Sequence, residues 1–305
     1  MKTLLFVTLV FVLSCQNQNL DNSPLTDPIV KEVVNRSEWV NDIPLARRVS
    51  GTRYLDDVFT SVTVTNNVVY GSAVNPHTGQ NETLKLNIYR PAGDNETQKW
   101  AIIFAHGGGF WSGSKDGSND TDICTRFAKK GYAVFSINYR LLPQVLRGDW
   151  VAGTPLVGSD FRAAVRFVRK KAVQYGIDAN KIVSFGSSAG SFGALSAAYD
   201  AHLDSSNSSN QGYASEPNLA TSSAGALPDA SVIETNEVPM YLMNCTLDPV
   251  VPFSLVDAVY NQAVTVNLEV ETFWLIEECH TFINTPADRQ ETVGRLTTWI
   301  FNQFN

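Results

Sequence analysis

The chain has 305 residues, of which 44% are hydrophobic and 17% are charged. This composition can fill a large core and excludes an intrinsically disordered protein. The formal net charge is −7 and no basic tract is present, which argues against a nucleic-acid-binding protein. The length is compatible with one or two domains.

The N-terminus predicts export. Lys2 precedes the apolar stretch Leu4 to Leu13, which is too short for the roughly 20 residues that cross a bilayer and is typical of a signal peptide. Residues 12–15 resemble a bacterial lipoprotein box, in which the thiol of Cys15 is acylated. We therefore expect an extracytoplasmic protein, either held to a membrane by this lipid anchor or, after ordinary cleavage near Cys15, secreted.

The remaining chain predicts a tether and N-terminal segment at residues 16–57, rich in Asn, Asp, Pro and Ser, followed by one catalytic domain at residues 58–305. Alternating patterns in Phe59–Val69 and Thr83–Tyr89 predict an antiparallel edge. Continuous apolar runs are typical of strands buried on both faces. These runs are Ala101–Ala105, Ala133–Ile137, Ile182–Phe185 and Met240–Met243.

Helical patterns separate these runs. Asp160–Tyr175 predicts an amphipathic helix with Asp160 as its N-cap. The expected fold is therefore α/β, a mostly parallel doubly wound sheet with an antiparallel N-terminal edge. Leu141–Ser159 and Asp200–Glu237 fit this alternation poorly. We predict that both are excursions over the C-terminal edge of the sheet, where α/β ligand sites lie.

Residues 186–190 form a G-x-S-x-G motif between a predicted strand and a predicted helix. In that context the serine lies on a sharp turn that exposes its Oγ at a helix N-terminus. The motif register selects Ser188 as the nucleophile and excludes Ser187.

Residues 106–109 read His-Gly-Gly-Gly and follow a buried run. Three glycines let backbone N–H groups approach a ligand closely, as an oxyanion hole requires. We predict that Gly108 and Gly109 donate together with Ala189, which follows the nucleophile; Gly107 could replace one of them. The ring of His106 is expected to brace the glycine loop.

Together these motifs resemble the α/β-hydrolase carboxylesterases of the hormone-sensitive-lipase and feruloyl-esterase-like type, over about residues 59–305. The resemblance includes Asn138-Tyr139-Arg140-Leu141, Asp160-Phe161-Arg162-Ala163-Ala164-Val165 and Tyr175-Gly176-Ile177-Asp178. It implies an α/β-hydrolase fold and a triad in the chain order serine, acid, histidine.

The chain has four histidines. His77 and His202 lie in polar stretches and His106 opens the glycine loop, which leaves His280 as the base. The resembled family has its histidine at this place, usually after Gly rather than Cys. Residues 241–252 resemble the family's acid segment and select Asp248, although Asn244-Cys245 replaces His-Gly. Glu277 and Glu278, nearer to the histidine in sequence, are interpreted as solvated loop charges.

These residues predict a serine carboxylic-ester hydrolase that forms an acyl-enzyme on extracellular esters, either small molecules or polymer-borne. No H-E-x-x-H, paired CxxC or strand-following G-x-G-x-x-G occurs, so no metal or other cofactor is expected. The alternatives are a catalytically silent binding protein on the same fold, a serine peptidase and an acyltransferase. The sequence indicates no oligomeric state.

Cysteine positions suggest one bridge. Cys245 and Cys279 precede the predicted acid and base, at strand ends that should be neighbours, so they could pair and leave Cys124 free. The alternative is two buried free thiols.

Overall fold

The computed structural model describes residues 29–34, 51–203 and 209–305. The predicted signal peptide at residues 1–15, with Cys15, lies outside these ranges, as does most of the predicted tether. Within them, no helix is long and apolar enough to cross a bilayer.

The described strands form a single sheet. In chain order they are β1 (Ile29–Val34), β2 (Val62–Val74), β3 (Asn81–Pro91), β4 (Lys99–Ala105), β5 (Ala133–Ile137), β6 (Ile177–Ser187), β7 (Leu219–Ser223), β8 (Met240–Cys245) and β9 (Val270–Leu275). Their spatial order is β1-β9-β8-β7-β6-β4-β5-β3-β2. β3 runs antiparallel to β2 and β5, whereas the other neighbours are parallel. The predicted fold class is confirmed.

Helices cover both faces of the sheet. They are α1 (Ser118–Lys129), α2 (Trp150–Lys170), α3 (Ala172–Tyr175), α4 (Ala189–Tyr199), α5 (Phe253–Thr265) and α6 (Pro286–Phe304). Ile103 of β4 lies in the core shared with α2 and α4, while its neighbours Ile102 and Phe104 lie in a second core with α1 and α6. Because every side chain from Trp100 to Ala105 meets a core, this run is continuously apolar.

The helix predicted from Asp160 begins ten residues earlier, at Trp150, so the N-cap assignment was wrong. Asp149 is the cap, and its carboxylate accepts a 2.9 Å hydrogen bond from the N–H of Ala152. The helix therefore includes the second half of Leu141–Ser159. Pro155 inside α2 weakens the helical signal of this stretch, because proline removes one helical hydrogen bond.

The stretch Asp200–Glu237 was predicted as an excursion, but it contributes β7 between β6 and β8. This strand reads Leu-Ala-Thr-Ser-Ser and is entirely buried. Its hydroxyls are paired inside the core, as where Thr221 donates to the carbonyl of Ser184 at 2.9 Å. A buried strand that is polar in composition produces no apolar run, so the sequence analysis missed it.

Candidate active site

The predicted nucleophile lies in the turn between β6 and α4. Ser188 adopts φ 51° and ψ −120°, a conformation that costs a non-glycine residue on the order of 1–3 kcal/mol. The turn is held by a 2.8 Å hydrogen bond from the N–H of Ser188 to the carbonyl of Ser223. A Cβ on Gly190 would lie 2.1 Å from the carbonyl oxygen of Ala105, so only glycine allows the turn to pack against β4.

The turn gives its two candidate serines different environments. Ser187 is 2% exposed and lies at the end of β6. Ser188 is partly exposed and lines a cleft of about 510 Å³ together with His280. The more accessible of the two side chains is therefore that of Ser188, the serine selected by the motif register.

Ser188, His280 and Asp248 form one chain of hydrogen bonds. His280 Nε2 lies 2.8 Å from Ser188 Oγ, and His280 Nδ1 lies 2.9 Å from Asp248 Oδ2. An ionised carboxylate accepts only, so Nδ1 carries the proton and Nε2 presents its lone pair to the serine hydroxyl. The side chain of Asp248 is fully buried, and its Oδ1 accepts the N–H groups of Val250 and Val251 at 2.8 and 3.0 Å.

A disulfide joins the segments that carry the predicted acid and the predicted base. Cys245 ends β8 and Cys279 precedes His280; the two are bonded, with Cα atoms 5.6 Å apart. Cys124 is free and buried. The predicted pairing is confirmed, and it ties the end of β8 to the loop that follows β9.

The glycine loop presents its N–H groups to the cleft. The carbonyl of Gly107 accepts from the ring of His106 at 2.6 Å, and that of Gly108 accepts from the N–H of Ser112 at 3.1 Å. In a planar trans peptide the N–H of the next residue points opposite to the carbonyl. The N–H of Gly108 therefore points away from the His106 ring, and the N–H of Gly109 points away from Ser112. Neither donates to another described residue.

Ala189 supplies a third N–H at the same place. It is the first residue of α4, so its N–H has no partner within the helix. Since Ala189 follows Ser188 directly, this N–H lies beside the serine. The glycine loop adjoins the same residue, because a Cβ on Gly107 would lie 3.3 Å from Ser188 Cβ. The predicted donors Gly108, Gly109 and Ala189 are thus brought to one end of the sheet.

His106 braces the glycine loop, as its position suggested. It is 1% exposed and stacks on Tyr139, with ring centroids 4.4 Å apart, and the Tyr139 hydroxyl donates to its carbonyl at 2.9 Å. Burial lowers the pKa of His106 to about 4, against a smaller effect of its hydrogen bond to Gly107. The ring is therefore neutral at physiological pH and donates from Nδ1.

Two further serines position the site and were missed by the sequence analysis. The hydroxyl of Ser191 donates to the carbonyl of Gly186 at 2.6 Å and accepts the N–H of Ser223 at 3.0 Å, which binds the turn to β7. The hydroxyl of Ser223 accepts the N–H of Phe282 at 3.3 Å, two residues after the histidine. Ser191 lies one residue beyond the G-x-S-x-G motif and Ser223 lies in a polar stretch without a motif, so no sequence signal marked their roles.

One group of potential metal ligands adjoins the site. Ligand atoms of Cys245, Glu277 and Cys279 lie within 4.8 Å of one another. The two sulfurs are joined in the disulfide and are therefore not available as thiolate ligands. The ring of His280 is hydrogen-bonded through Nδ1 to Asp248 and through Nε2 to Ser188.

Comparison with known proteins finds similarity to esterases. Residues 86–224 match the BD-FAE family model. The chain is 35% identical over 115 residues to ethyl acetate hydrolase of Pseudomonas putida, which covers 37% of this chain and 33% of the relative. It is 30% identical over 156 residues to a carboxylic ester hydrolase of Bombus ignitus, covering 50% of this chain and 26% of the relative. The chain thus spans a third or less of these curated relatives.

Among solved structures, the fold resembles Thermogutta terrifontis esterase 2 phosphoramylated by tabun. The TM-score is 0.62 at 22% sequence identity, over 80% of this chain and 95% of that one. A second structure of the same esterase, with butyrate bound, gives a TM-score of 0.61 at 22% identity, over 83% and 97%. The resemblance inferred from the motifs is confirmed: the chain has the α/β-hydrolase fold, and its residues 86–224 match the BD-FAE family model.

Proposed function

We propose that the protein is a serine carboxylic-ester hydrolase with Ser188 as nucleophile, His280 as general base and Asp248 as the orienting acid. The observation that carries the proposal is the unbroken hydrogen-bond chain from Asp248 through His280 to the partly exposed Ser188, opening on the cleft beside the glycine loop. The esterase names of the relatives support the same reaction.

The reaction follows from these positions. His280 Nε2 takes the hydroxyl proton as Ser188 Oγ attacks the ester carbonyl, and the buried Asp248 stabilises the resulting imidazolium. The N–H groups of Gly108, Gly109 and Ala189 stabilise the developing oxyanion. His280 then protonates the leaving alcohol, and water cleaves the acyl-enzyme by the same route.

We further propose that the esters are extracellular, either small molecules or borne on a polymer. The predicted signal peptide at residues 1–15 supports this location.

The opening of the cleft has an apolar part. Val250 lines it at 55% exposure, and the Trp111 ring, 37% exposed, lies beside Gly109. An apolar acyl or aryl group would bury these side chains.

The test is hydrolysis of a p-nitrophenyl ester series from acetate to laurate, together with methyl ferulate, by the wild type and by Ser188→Ala. We expect turnover of at least one ester and a loss greater than about 10⁴-fold in Ser188→Ala, because the triad acts as a unit. Ser187→Ala is the matched control and should retain nearly full activity, since Ser187 is 2% exposed and His280 Nε2 is hydrogen-bonded to Ser188 Oγ instead.

If Ser188→Ala kept more than about a hundredth of the wild-type rate, Ser188 would not be the nucleophile. No turnover of any ester by the folded wild type would instead favour a binding protein on this fold. Cleavage of peptides without cleavage of esters would favour a peptidase.

A further inference from the structure

One wall of the cleft is polar and rigidly built. It consists of the first turn of α1 and the loop that follows His280. Arg289, which is 7% exposed, holds the two together. Its guanidinium donates to Asn119 Oδ1 at 2.9 Å and to the carbonyls of Ile283 and Asn284 at 2.7 and 3.2 Å.

Asp120 lies in this wall and its carboxylate is a hydrogen-bond acceptor without a donor. It lines the same cleft as Ser188 and His280, yet none of the described residues donates a hydrogen bond to its side chain. A Cβ on Gly117 would lie 2.3 Å from Asp120 Oδ2, so the carboxylate occupies space that only a glycine leaves open. Burial raises the pKa of Asp120 to about 6, an effect that Arg289 only partly opposes.

The triad and the oxyanion donors do not use this carboxylate. We propose that Asp120 is a specificity-determining residue that accepts a hydrogen bond from a hydroxyl or ammonium group of the ester bound at Ser188. The inference rests on the proposed esterase activity and names the substrate chemistry that this wall selects.

The physical basis is the unmet acceptor capacity of a poorly hydrated carboxylate. A substrate donor replaces the water that binding displaces, whereas a donor-free ester leaves the acceptor unpaired. Sites with a buried polar group reject an analogue that lacks its partner far more strongly than apolar pockets reject a change of size. Asp120 should therefore discriminate among esters of equal size.

The experiment compares kcat/KM for matched esters. On the alcohol side these are n-propyl, 2-hydroxyethyl and 2-aminoethyl butyrate; on the acyl side they are methyl 3-methylbutyrate and methyl 3-hydroxybutyrate. Each is measured with the wild type, with Asp120→Leu, which removes the acceptor at similar size, and with Asp120→Asn, which removes the charge alone. Asp116→Asn is the control, because Asp116 is 60% exposed and lies outside the cleft lining.

We expect the wild type to prefer a donor-bearing ester over its donor-free partner by about tenfold or more, the factor associated with a hydrogen bond to a charged group. That ratio should fall toward one in Asp120→Leu and stay high in Asp116→Asn. A larger loss in Asp120→Asn for the aminoethyl ester than for the hydroxyl esters identifies an ammonium ligand; equal or smaller losses identify a hydroxyl.

An unchanged ratio in both Asp120 variants, with esters still hydrolysed, would overturn this inference and leave the proposed function intact. Absence of turnover of every ester by the wild type would overturn both.

Discussion

Ser188 and Asp120 are held in states that an isolated residue avoids. Ser188 has a positive φ of 51°, and the partly buried carboxylate of Asp120 lines the cleft with no hydrogen-bond donor among the described residues. Neither state adds to stability, since the first strains the backbone and the second withdraws a charge from water. Such groups persist when the surrounding packing determines their positions, and they concentrate at binding and catalytic sites.

Asp120 makes stability depend on pH. The pKa of its carboxyl rises from 3.8 to about 6 on folding because of burial. The folded state therefore binds more protons than the unfolded state between these pH values. The contribution of the protonated Asp120 carboxyl to the free energy of unfolding is fully present below about pH 4 and is lost as the pH rises through 6. Asp120→Asn should raise the free energy of unfolding by about 2–3 kcal/mol at pH 7 and hardly at all at pH 4.

Urea unfolding of the wild type and Asp120→Asn at both pH values measures this difference. Equal free energies at pH 7 would contradict the burial of an unpaired carboxylate at this position.

At the scale of elements, buried contacts between segments align the site. Asp160, 1% exposed in the middle of α2, accepts from the backbone N–H of Arg140 at 2.7 Å and from its guanidinium at 2.7 Å. The same guanidinium donates to the carbonyl of Val74 at 2.6 Å. This pair joins β2, the loop after β5 and α2, and so supports the segment that packs behind the glycine loop.

Asp160→Asn should destabilise the fold by about 3–5 kcal/mol, because it leaves the Arg140 charge buried without its counter-ion. Thermal or urea unfolding measures the change. Asp257→Asn is the control, since the Asp257 carboxylate lies on the exposed face of α5 and accepts from Asn261. A loss of less than about 1 kcal/mol in Asp160→Asn would mean that the pair is not needed for stability.

The disulfide acts at the same scale. The bridge between Cys245 and Cys279 closes a loop with a sequence separation of 34, which in the chain-entropy model stabilises by about 3–4 kcal/mol. Replacing both cysteines with alanine should cost that amount and lower kcat, because the acid and base segments lose their covalent tie.

Denaturant unfolding and ester kinetics test this prediction, with Cys124→Ala as the control for loss of a buried thiol. Peptide mapping without reduction provides a direct check. Recovery of Cys245 and Cys279 as alkylated thiols would contradict the bridge.

At the scale of the whole molecule, the sheet order collects residues that are distant in the chain. β6, β7, β8 and β9 are successive parallel neighbours, so their carboxyl ends lie at one edge. Ser188, Ser223, Asp248 and His280 all follow or end these strands. The antiparallel strands β2 and β3 lie at the opposite side of the sheet and contribute no predicted site residue.

The predicted lipid anchor would attach this molecule to a membrane through Cys15, which lies outside the described residues. Cys15→Ser should then release the protein from the membrane fraction, because acyl chains and not a spanning helix hold it there. Fractionation of expressing cells with N-terminal mass spectrometry tests this. A wild-type protein found wholly in the medium, with an unmodified N-terminus, would indicate simple secretion.

The sequence by itself determined the fold class and indicated the turn at Ser188 and the glycine loop, because each depends on neighbours in the chain or on a motif. It left the pairing of Cys245 with Cys279 open, because that pairing depends on which strand ends lie side by side. A turn between a strand and a helix needs small residues at set positions, and strands buried on both faces need continuous apolar runs.

Only the tertiary structure decided the rest. The polar strand β7 is buried because hydroxyls pair with carbonyls of distant segments, and α2 begins at Trp150 despite Pro155. Asp160 is an internal ion-pair partner and not a cap, since Arg140 comes to it from another element. Folding places Asp120 in the cleft, where none of the described residues donates to its carboxylate. The energy of a buried polar group depends on partners that the local sequence does not contain.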